Sequence, residues 1–131
     1  MRALAFIAMI GCTGGANYWI DYRPLSGSST KPRSDVVQKS VIAITDAGRE
    51  IESSDATSGI VLSRWFGGDG FAPDDTRFRI RVSVSDTGSY DIASLCQRKS
   101  AMTSAWEDGC DPAKRPRFVV ETIAKIEQAL R

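Results

Sequence analysis

The chain has 131 residues, of which 42% are hydrophobic and 25% are charged, proportions typical of an ordinary globular domain. Seventeen basic and sixteen acidic side chains leave a net charge of +1, so bulk charge predicts no nucleic-acid partner. The chain contains no histidine, which excludes Ser-His-Asp and Cys-His catalytic groups. We therefore expect a non-catalytic protein without a metal ion or another cofactor.

The N-terminus combines one positive charge with an apolar run. Arg2 precedes the uninterrupted apolar segment Ala3–Ile10, which is followed by Gly11 and Cys12. The sequence "MIGC" resembles the lipobox of bacterial lipoproteins, with Met in place of the leucine favoured by that family. The resemblance implies that residues 1–11 are a signal peptide, and that Cys12 carries diacylglycerol on its thiol and an acyl chain on its amine. A buried strand and a signal without lipidation remain alternatives.

The lipobox resemblance also implies a location and a cysteine pairing. Thr13, and not aspartate, follows the cysteine, which in a host with two membranes favours the outer membrane, with the domain facing the periplasm. Lipidation of Cys12 would leave Cys96 and Cys110 in an oxidising compartment, where disulfides form and persist. We therefore predict a Cys96–Cys110 disulfide.

Residues 12–33 are predicted to form a flexible tether, because they are rich in Gly, Ser, Pro and Thr and show no sustained periodicity. Three large aromatic residues, Tyr18, Trp19 and Tyr22, stand out within this segment. Aromatic side chains are common anchors of protein interfaces, so they are candidates for docking on a partner protein. Packing against their own domain and lying at the membrane interface are the alternatives.

Residues 34–131 are predicted to form one α+β domain. Ser34 is placed to cap a helix that ends at Gly48. The hydrophobic period then changes from that of a helix to two, and it predicts strands over residues 49–55, 60–66, 77–85 and 89–97. Pro116, which suits a first helical turn, opens a closing helix. The apolar stripe of that helix consists of Val119, Ile123, Ile126 and Leu130.

The third predicted strand shows the clearest alternation in the chain. Phe78, Ile80, Val82 and Val84 share one face, whereas Arg77, Arg79, Arg81 and Ser83 share the other. One apolar sheet face is covered most simply by both helices. The predicted fold is therefore a two-layer α+β sandwich with a four-stranded antiparallel sheet, in the order α-β-β-β-β-α.

The segment "DAGREIESSDATSGIVLSRW", between a helix and a run of strands, resembles the helix-grip domains of bacterial envelope lipoproteins. The C-type lipoprotein of the outer-membrane barrel-assembly machinery is one of these proteins. In the C-type lipoprotein the domains follow a long lipidated segment that lies along a partner lipoprotein. The resemblance implies an envelope protein as a partner of this chain.

Four arginines form a candidate basic face: Arg64, Arg77, Arg79 and Arg81. Because a guanidinium group offers paired donors, such a face could bind phosphate or a lipid headgroup. The alternative is a solvated outer sheet face that carries charge for solubility.

The sequence thus favours a lipid-anchored envelope lipoprotein that acts as a non-catalytic accessory or scaffold of a membrane-associated assembly. The alternative is a periplasmic module that binds a small ligand or a lipid between its helices and its sheet. Apolar side chains that fill this space would favour the scaffold, whereas a cavity of roughly 300 Å³ or more there would favour the module.

Overall fold

The structure, a computed structural model, describes residues 25–67, 76–108 and 116–131. Within them, two helices and six strands follow each other in the order β1-α1-β2-β3-β4-β5-β6-α2. The helices are α1 (Arg33–Asp46) and α2 (Arg117–Leu130). The strands are β1 (Leu25–Ser28), β2 (Ile51–Asp55), β3 (Ile60–Ser63), β4 (Thr76–Val84), β5 (Ser89–Lys99) and β6 (Trp106–Asp108).

All described strand pairs are antiparallel, and the sheet order is β1-β5-β4-β3-β2. The longest pairing joins β4 to β5, from Thr76 opposite Arg98 to Val84 opposite Tyr90. The other edge of β5 pairs with β1 near its start and with β6 at its end. Strand β2 forms the opposite edge of the sheet, and its pairing with β3 is irregular between Ile51 and Ser53.

A single hydrophobic core lies between the sheet and both helices, as the alternating pattern of β4 predicts. Ile80 and Val82 are 0% exposed, and the side chains of α1 and α2 pack against the same face of the sheet. Residues of this core include Val36, Val37, Ile44, Val61, Phe78, Val84, Ile92, Val119, Ile123, Ile126 and Leu130. The predicted α+β class, with antiparallel strands and two helices on the apolar face, is confirmed.

The predicted number of four strands is wrong, because the described sheet has six. Strand β1 (Leu25–Ser28) lies within the segment predicted as a tether, so the sheet begins before residue 34. Strand β6 (Trp106–Asp108) lies in the connection predicted between the last strand and the closing helix. Both strands are too short for an alternating pattern to emerge, and each is held by backbone hydrogen bonds to β5.

The start of α1 also differs from the prediction. Pro32, and not Ser34, occupies the N-cap position, and no side chain makes a capping hydrogen bond there. Proline pre-sets a φ close to −65° and has no N–H group that would need a partner, so it suits the entrance to a helix. Asp35 lies in the first helical turn, where a negative charge interacts favourably with the helix dipole.

Cys96 belongs to the hydrophobic core and is disulfide-bonded. The other two cysteines, Cys12 and Cys110, lie outside the described residues, so the Cys96–Cys110 pairing stays a prediction. Strand β6 supports it, because Gln97 lies opposite Asp108, only two residues before Cys110. A regular continuation of β6 would place Cys110 opposite Leu95, on the other face of the sheet from Cys96. The predicted bridge therefore requires the regular strand to stop before Cys110, which lies outside the described residues.

Candidate functional site

The helices cover one face of the sheet, and we call the opposite face the outer face. Arg77, Arg79 and Arg81 all lie on it, because they alternate along β4 with the buried core residues. The three arginines are not freely solvated, and the side chain of Arg79 is only 20% exposed. The outer face is therefore a partly buried, organised surface.

Two tryptophans organise the arginines of the outer face. The guanidinium carbon of Arg77 lies 4.2 Å from the ring centre of Trp65 and 4.3 Å from that of Trp106. Arg79 lies 4.8 Å from Trp65, and the Lys99 Nζ lies 5.2 Å from Trp106. These distances are within the roughly 6 Å range of cation–π attraction. We call this alternating series of three cations and two indoles the indole ladder.

Gln97 holds Arg77, the central cation of the indole ladder, in place. Its Oε1 atom accepts hydrogen bonds from Arg77 Nε at 2.9 Å and from Arg77 Nη2 at 2.6 Å. Burial lowers the pKa of Arg77, and the positive charge of Arg79 lowers this pKa further. Arginine nevertheless keeps its positive charge near neutral pH. The ladder thus holds a partly desolvated cation in one orientation.

A local bulge brings Trp65 to the outer face. Leu62 pairs with Arg81, and the next paired residue, Phe66, lies opposite Phe78, so three residues of one chain segment oppose two of β4. The extra residue reverses the alternation. Phe66 therefore turns toward the core, and Trp65 stacks on the arginines of β4.

Polar contacts of Ser63 hold this bulge together. The Ser63 hydroxyl accepts a hydrogen bond from the Ile80 N–H at 2.9 Å and donates one to the Arg64 carbonyl at 3.0 Å. Arg79 Nε donates to the Ser63 carbonyl at 3.1 Å. These bonds satisfy backbone groups that the regular ladder would otherwise pair, so the bulge does not leave them buried without partners.

Strand β6 brings the second tryptophan into place. Trp106 pairs with Lys99 at the start of β6, directly after the turn Ser100–Ala105. The Ser100 hydroxyl accepts bonds from the N–H groups of Met102 and Thr103, and the Ser100 N–H donates to the Ala105 carbonyl. The first three residues of the sequence "WEDGCD" form this strand.

The fourth predicted arginine joins the same surface through carboxylates. Arg64 lies 3.6 Å from Glu50 and 4.0 Å from Glu52, and Arg79 lies 3.7 Å from the same Glu52 oxygen. Exposed ion pairs of this kind contribute only about 0–1 kcal/mol each. The structure thus brings Arg64, Arg77 and Arg79 together, whereas Arg81 lies farther along β4, opposite Ala93.

Two cavities formed by described residues lie away from the space between the helices and the sheet. A cavity of about 500 Å³ opens at one end of the sheet, near the start of α1. Its lining includes Arg33, Tyr90, Asp91 and several serines. A smaller cavity of about 290 Å³ lies beside Arg49 and Trp65. The same part of the chain contains no group of three or more His, Cys, Asp or Glu side chains that could hold a metal ion.

The sequence did not predict the two tryptophans and Lys99 of the indole ladder, nor Gln97, which holds Arg77. These four residues are Trp65, Lys99, Trp106 and Gln97. Strict alternation from Val61 would direct Trp65 toward the core. The alternating pattern alone therefore does not predict that Trp65 lies on the outer face. The available signal is the dipeptide Arg64–Trp65 on the strand before "RFRIR", since aromatic and cationic residues on neighbouring strands are able to stack.

Several predicted features lie outside the described residues. They are the signal peptide, the lipid attachment at Cys12, Cys110, and the docking candidates Tyr18, Trp19 and Tyr22. In the described residues no helix is both long and apolar enough to cross a membrane. No model of a known protein family matches the chain, and no curated protein matches it. Function is therefore inferred from the N-terminal sequence and from the geometry of the sheet.

Proposed function

We propose that this protein is a lipid-anchored envelope lipoprotein that acts as a non-catalytic accessory or scaffold of a membrane-associated assembly. Cys12 carries the lipid, and the domain faces the periplasm from the outer membrane. The sequence "MIGC", preceded by an apolar run, supports the anchor. Two or more acyl chains on one cysteine would hold the protein stably, whereas a single chain binds a membrane only marginally.

The filled interior is the observation that favours a scaffold over a ligand-binding module. Ile80, Val82, Val84, Val119 and Ile123 are all buried in one core cluster between the helices and the sheet. A small-molecule site usually needs a cavity of about 300 Å³ or more. The larger described cavity exceeds this volume, but it lies at the sheet end and not within that space. Binding through the surface is therefore favoured.

The connection between tether and domain supports the same proposal. Strand β1 pairs with β5 from Leu25 opposite Ile92 to Ser28 opposite Ser89, and the Ser29 N–H donates to the Gly88 carbonyl at 3.0 Å. The chain that arrives from Cys12 is therefore joined to the sheet before α1 begins. An anchor attached in this way restrains the orientation of the domain as well as its location.

Replacement of the proposed lipidated cysteine tests the anchor. We expect Cys12→Ser to release the protein from membranes of a bacterial host with two membranes, and to remove the mass of the lipid from the purified protein. Cys110→Ser is the matched control, since it removes a cysteine outside the lipobox and should leave membrane fractionation unchanged. Unchanged fractionation and mass of the Cys12→Ser protein would contradict the proposal.

A pulldown of the membrane-extracted protein, followed by mass spectrometry, tests the scaffold role. We expect an envelope protein as partner, and Trp19→Ala should weaken its capture without lowering the melting temperature of the domain. A lower melting temperature with intact capture would instead show that Trp19 packs against its own domain.

A further inference from the structure

We propose that the indole ladder and the adjoining β5–β6 hairpin form a surface that lies against an anionic lipid bilayer. This inference rests on the proposed lipid anchor and adds the side of the domain that faces the membrane. The surface consists of the ladder residues Trp65, Arg77, Arg79, Lys99 and Trp106, together with the hairpin turn Ser100–Ala105.

The ladder combines the two residue classes that favour a membrane interface. Tryptophan is enriched where lipid headgroups meet the acyl chains, and basic residues are attracted to anionic headgroups. The bonds of Arg77 go to the neutral amide of Gln97, and Lys99 is exposed. Within the described residues, neither cation has a carboxylate partner. Their charge is therefore available to a bilayer surface.

The described carboxylates near the ladder lie beside other basic residues. Glu52 lies 3.7 Å from Arg79, and Glu107 lies opposite Arg98 in the register of β5 and β6. The positive surplus therefore lies at Arg77 and Lys99, on either side of the Trp106 ring. An indole flanked by two cations suits the headgroup layer of an anionic bilayer.

The hairpin turn adds an apolar tip beside the ladder. Met102 is 92% exposed, the most exposed large apolar side chain of the described residues. It lies three residues after Lys99 and four before Trp106, so the tip is flanked by a cation and an indole. Apolar side chains next to basic residues are typical of segments that enter the headgroup region.

The direction of β1 allows the proposed anchor to reach the same end of the domain. Because β1 is antiparallel to β5, its N-terminal end points toward the hairpin end of β5. The distance along β5 from Ile92 to Lys99 is roughly 23 Å at the usual rise per residue of a strand. The thirteen steps from Cys12 to Leu25 span up to about 45 Å when extended. A lipid on Cys12 is therefore able to reach the membrane that the hairpin would touch.

Vesicle binding tests this surface without the anchor. The full chain with Cys12→Ser is mixed with vesicles of phosphatidylcholine, with or without phosphatidylglycerol, and bound protein is measured by sedimentation. We expect tighter binding to the anionic vesicles and weaker binding as salt is added. Lys99→Gln should weaken the binding to anionic vesicles about fivefold. Lys125→Gln is the matched control, because it removes the same charge from the exposed face of α2.

The apolar tip has its own variant pair. Met102→Ser should weaken vesicle binding, whereas Ile42→Ser, which changes an exposed apolar residue of α1, should not. The four substituted side chains, those of Lys99, Met102, Lys125 and Ile42, are all solvent-exposed. Unchanged melting temperatures would show that the variants fold.

Three results would overturn the proposed surface. One is equal binding to both kinds of vesicle, and another is an equal loss in Lys99→Gln and Lys125→Gln. The third is a Lys99→Gln protein that keeps vesicle binding but loses a protein partner in the pulldown, which would assign the ladder to a protein interface. An unmodified Cys12 in cells would contradict the anchor alone, since the vesicle assay uses the chain without lipid.

Discussion

The two faces of strand β4 are built from alternate residues of one segment, yet different forces organise them. On the helix-covered face, Ile80 and Val82 are completely buried among aliphatic side chains. On the outer face, Arg77 and Arg79 are stacked on indole rings and carry their charge at partial exposure. Burial of a large aliphatic side chain is worth about 1.5–3 kcal/mol, whereas a cation–π contact is worth about 0.5–2 kcal/mol. The covered face therefore determines stability, and the outer face is able to vary for recognition.

Truncation of a core residue should have the largest effect. Ile80→Ala removes buried methyl groups and leaves a cavity, so we expect the free energy of unfolding to fall by about 2–5 kcal/mol. Urea denaturation measures this change. Ile42→Ala is the control, because Ile42 is 50% exposed on α1 and its truncation should cost less than about 1 kcal/mol. Similar losses in the two variants would contradict the assignment of stability to the covered face.

Reduction of the disulfide should come next. Closure of the 15-residue loop from Cys96 to Cys110 contributes about 3 kcal/mol in the chain-entropy model. We expect a reducing agent to lower the melting temperature of the wild-type protein and to leave that of Cys110→Ser unchanged. Cys12→Ser should behave like the wild type. If Cys12→Ser, and not Cys110→Ser, abolishes the response, the predicted pairing is wrong.

A double-mutant cycle on the ladder should show a smaller effect. Arg77→Met keeps an unbranched apolar stem but removes the guanidinium charge, and Trp106→Leu removes the indole. We expect a coupling energy of about 1–2 kcal/mol between them in urea denaturation, because Arg77 lies 4.3 Å from the Trp106 ring. The control cycle combines Trp106→Leu with Lys125→Met, on the helical layer, and should give no coupling. Equal coupling in both cycles would show that the outer face is not organised by the ladder.

The smallest effect concerns the turn between β2 and β3. The backbone N–H groups of Thr57 and Ser58 donate to the Asp55 carboxylate and lower its pKa in the folded protein. Ionised Asp55 therefore stabilises the fold above its unfolded pKa of about 4, and this contribution is lost as the pH falls through the lower folded pKa. Asp55→Asn keeps an acceptor oxygen but does not titrate.

Thermal unfolding from neutral to acidic pH checks this prediction. The melting temperature of Asp55→Asn should fall less steeply below about pH 4 than that of the wild type. Asp46→Asn, on the exposed last turn of α1, is the control and should follow the wild-type curve. Parallel curves for all three proteins would show that the turn does not favour the ionised carboxylate.

The sequence predicts the covered face better than the outer face, and the reason is physical. Residues such as Phe78, Ile80 and Val119 recur at strand or helix spacing, and their burial follows from that period. The ladder depends on a bulge of one residue between Leu62 and Phe66, which reverses the direction of Trp65. The alternation of apolar and polar residues along a strand does not show where a bulge inserts one extra residue.

The two short strands were missed for a related reason. Leu25 is the only large apolar residue of β1, and β6 has three residues, two of them acidic. Both are recruited by the free edge of β5, so their conformation comes from a partner distant in the sequence. Their local composition therefore predicts linkers or turns and not strands. The three arginines of β4 were predicted because their spacing is local, whereas their indole partners lie on other segments.

Strand β2 is an edge strand of the described sheet, and its irregular pairing affects how a protein tethered as proposed would meet its neighbours. Its residues after Ile51 are exposed, its pairing is irregular between Ile51 and Ser53, and Glu52 and Asp55 put negative charge along it. A bulge and charged side chains discourage a second strand from adding to a sheet edge. Proteins anchored in one membrane meet repeatedly in two dimensions, where an unprotected edge would seed fibrillar stacking. For a chain anchored as proposed, the irregular β2 would allow crowded neighbours to touch without polymerising.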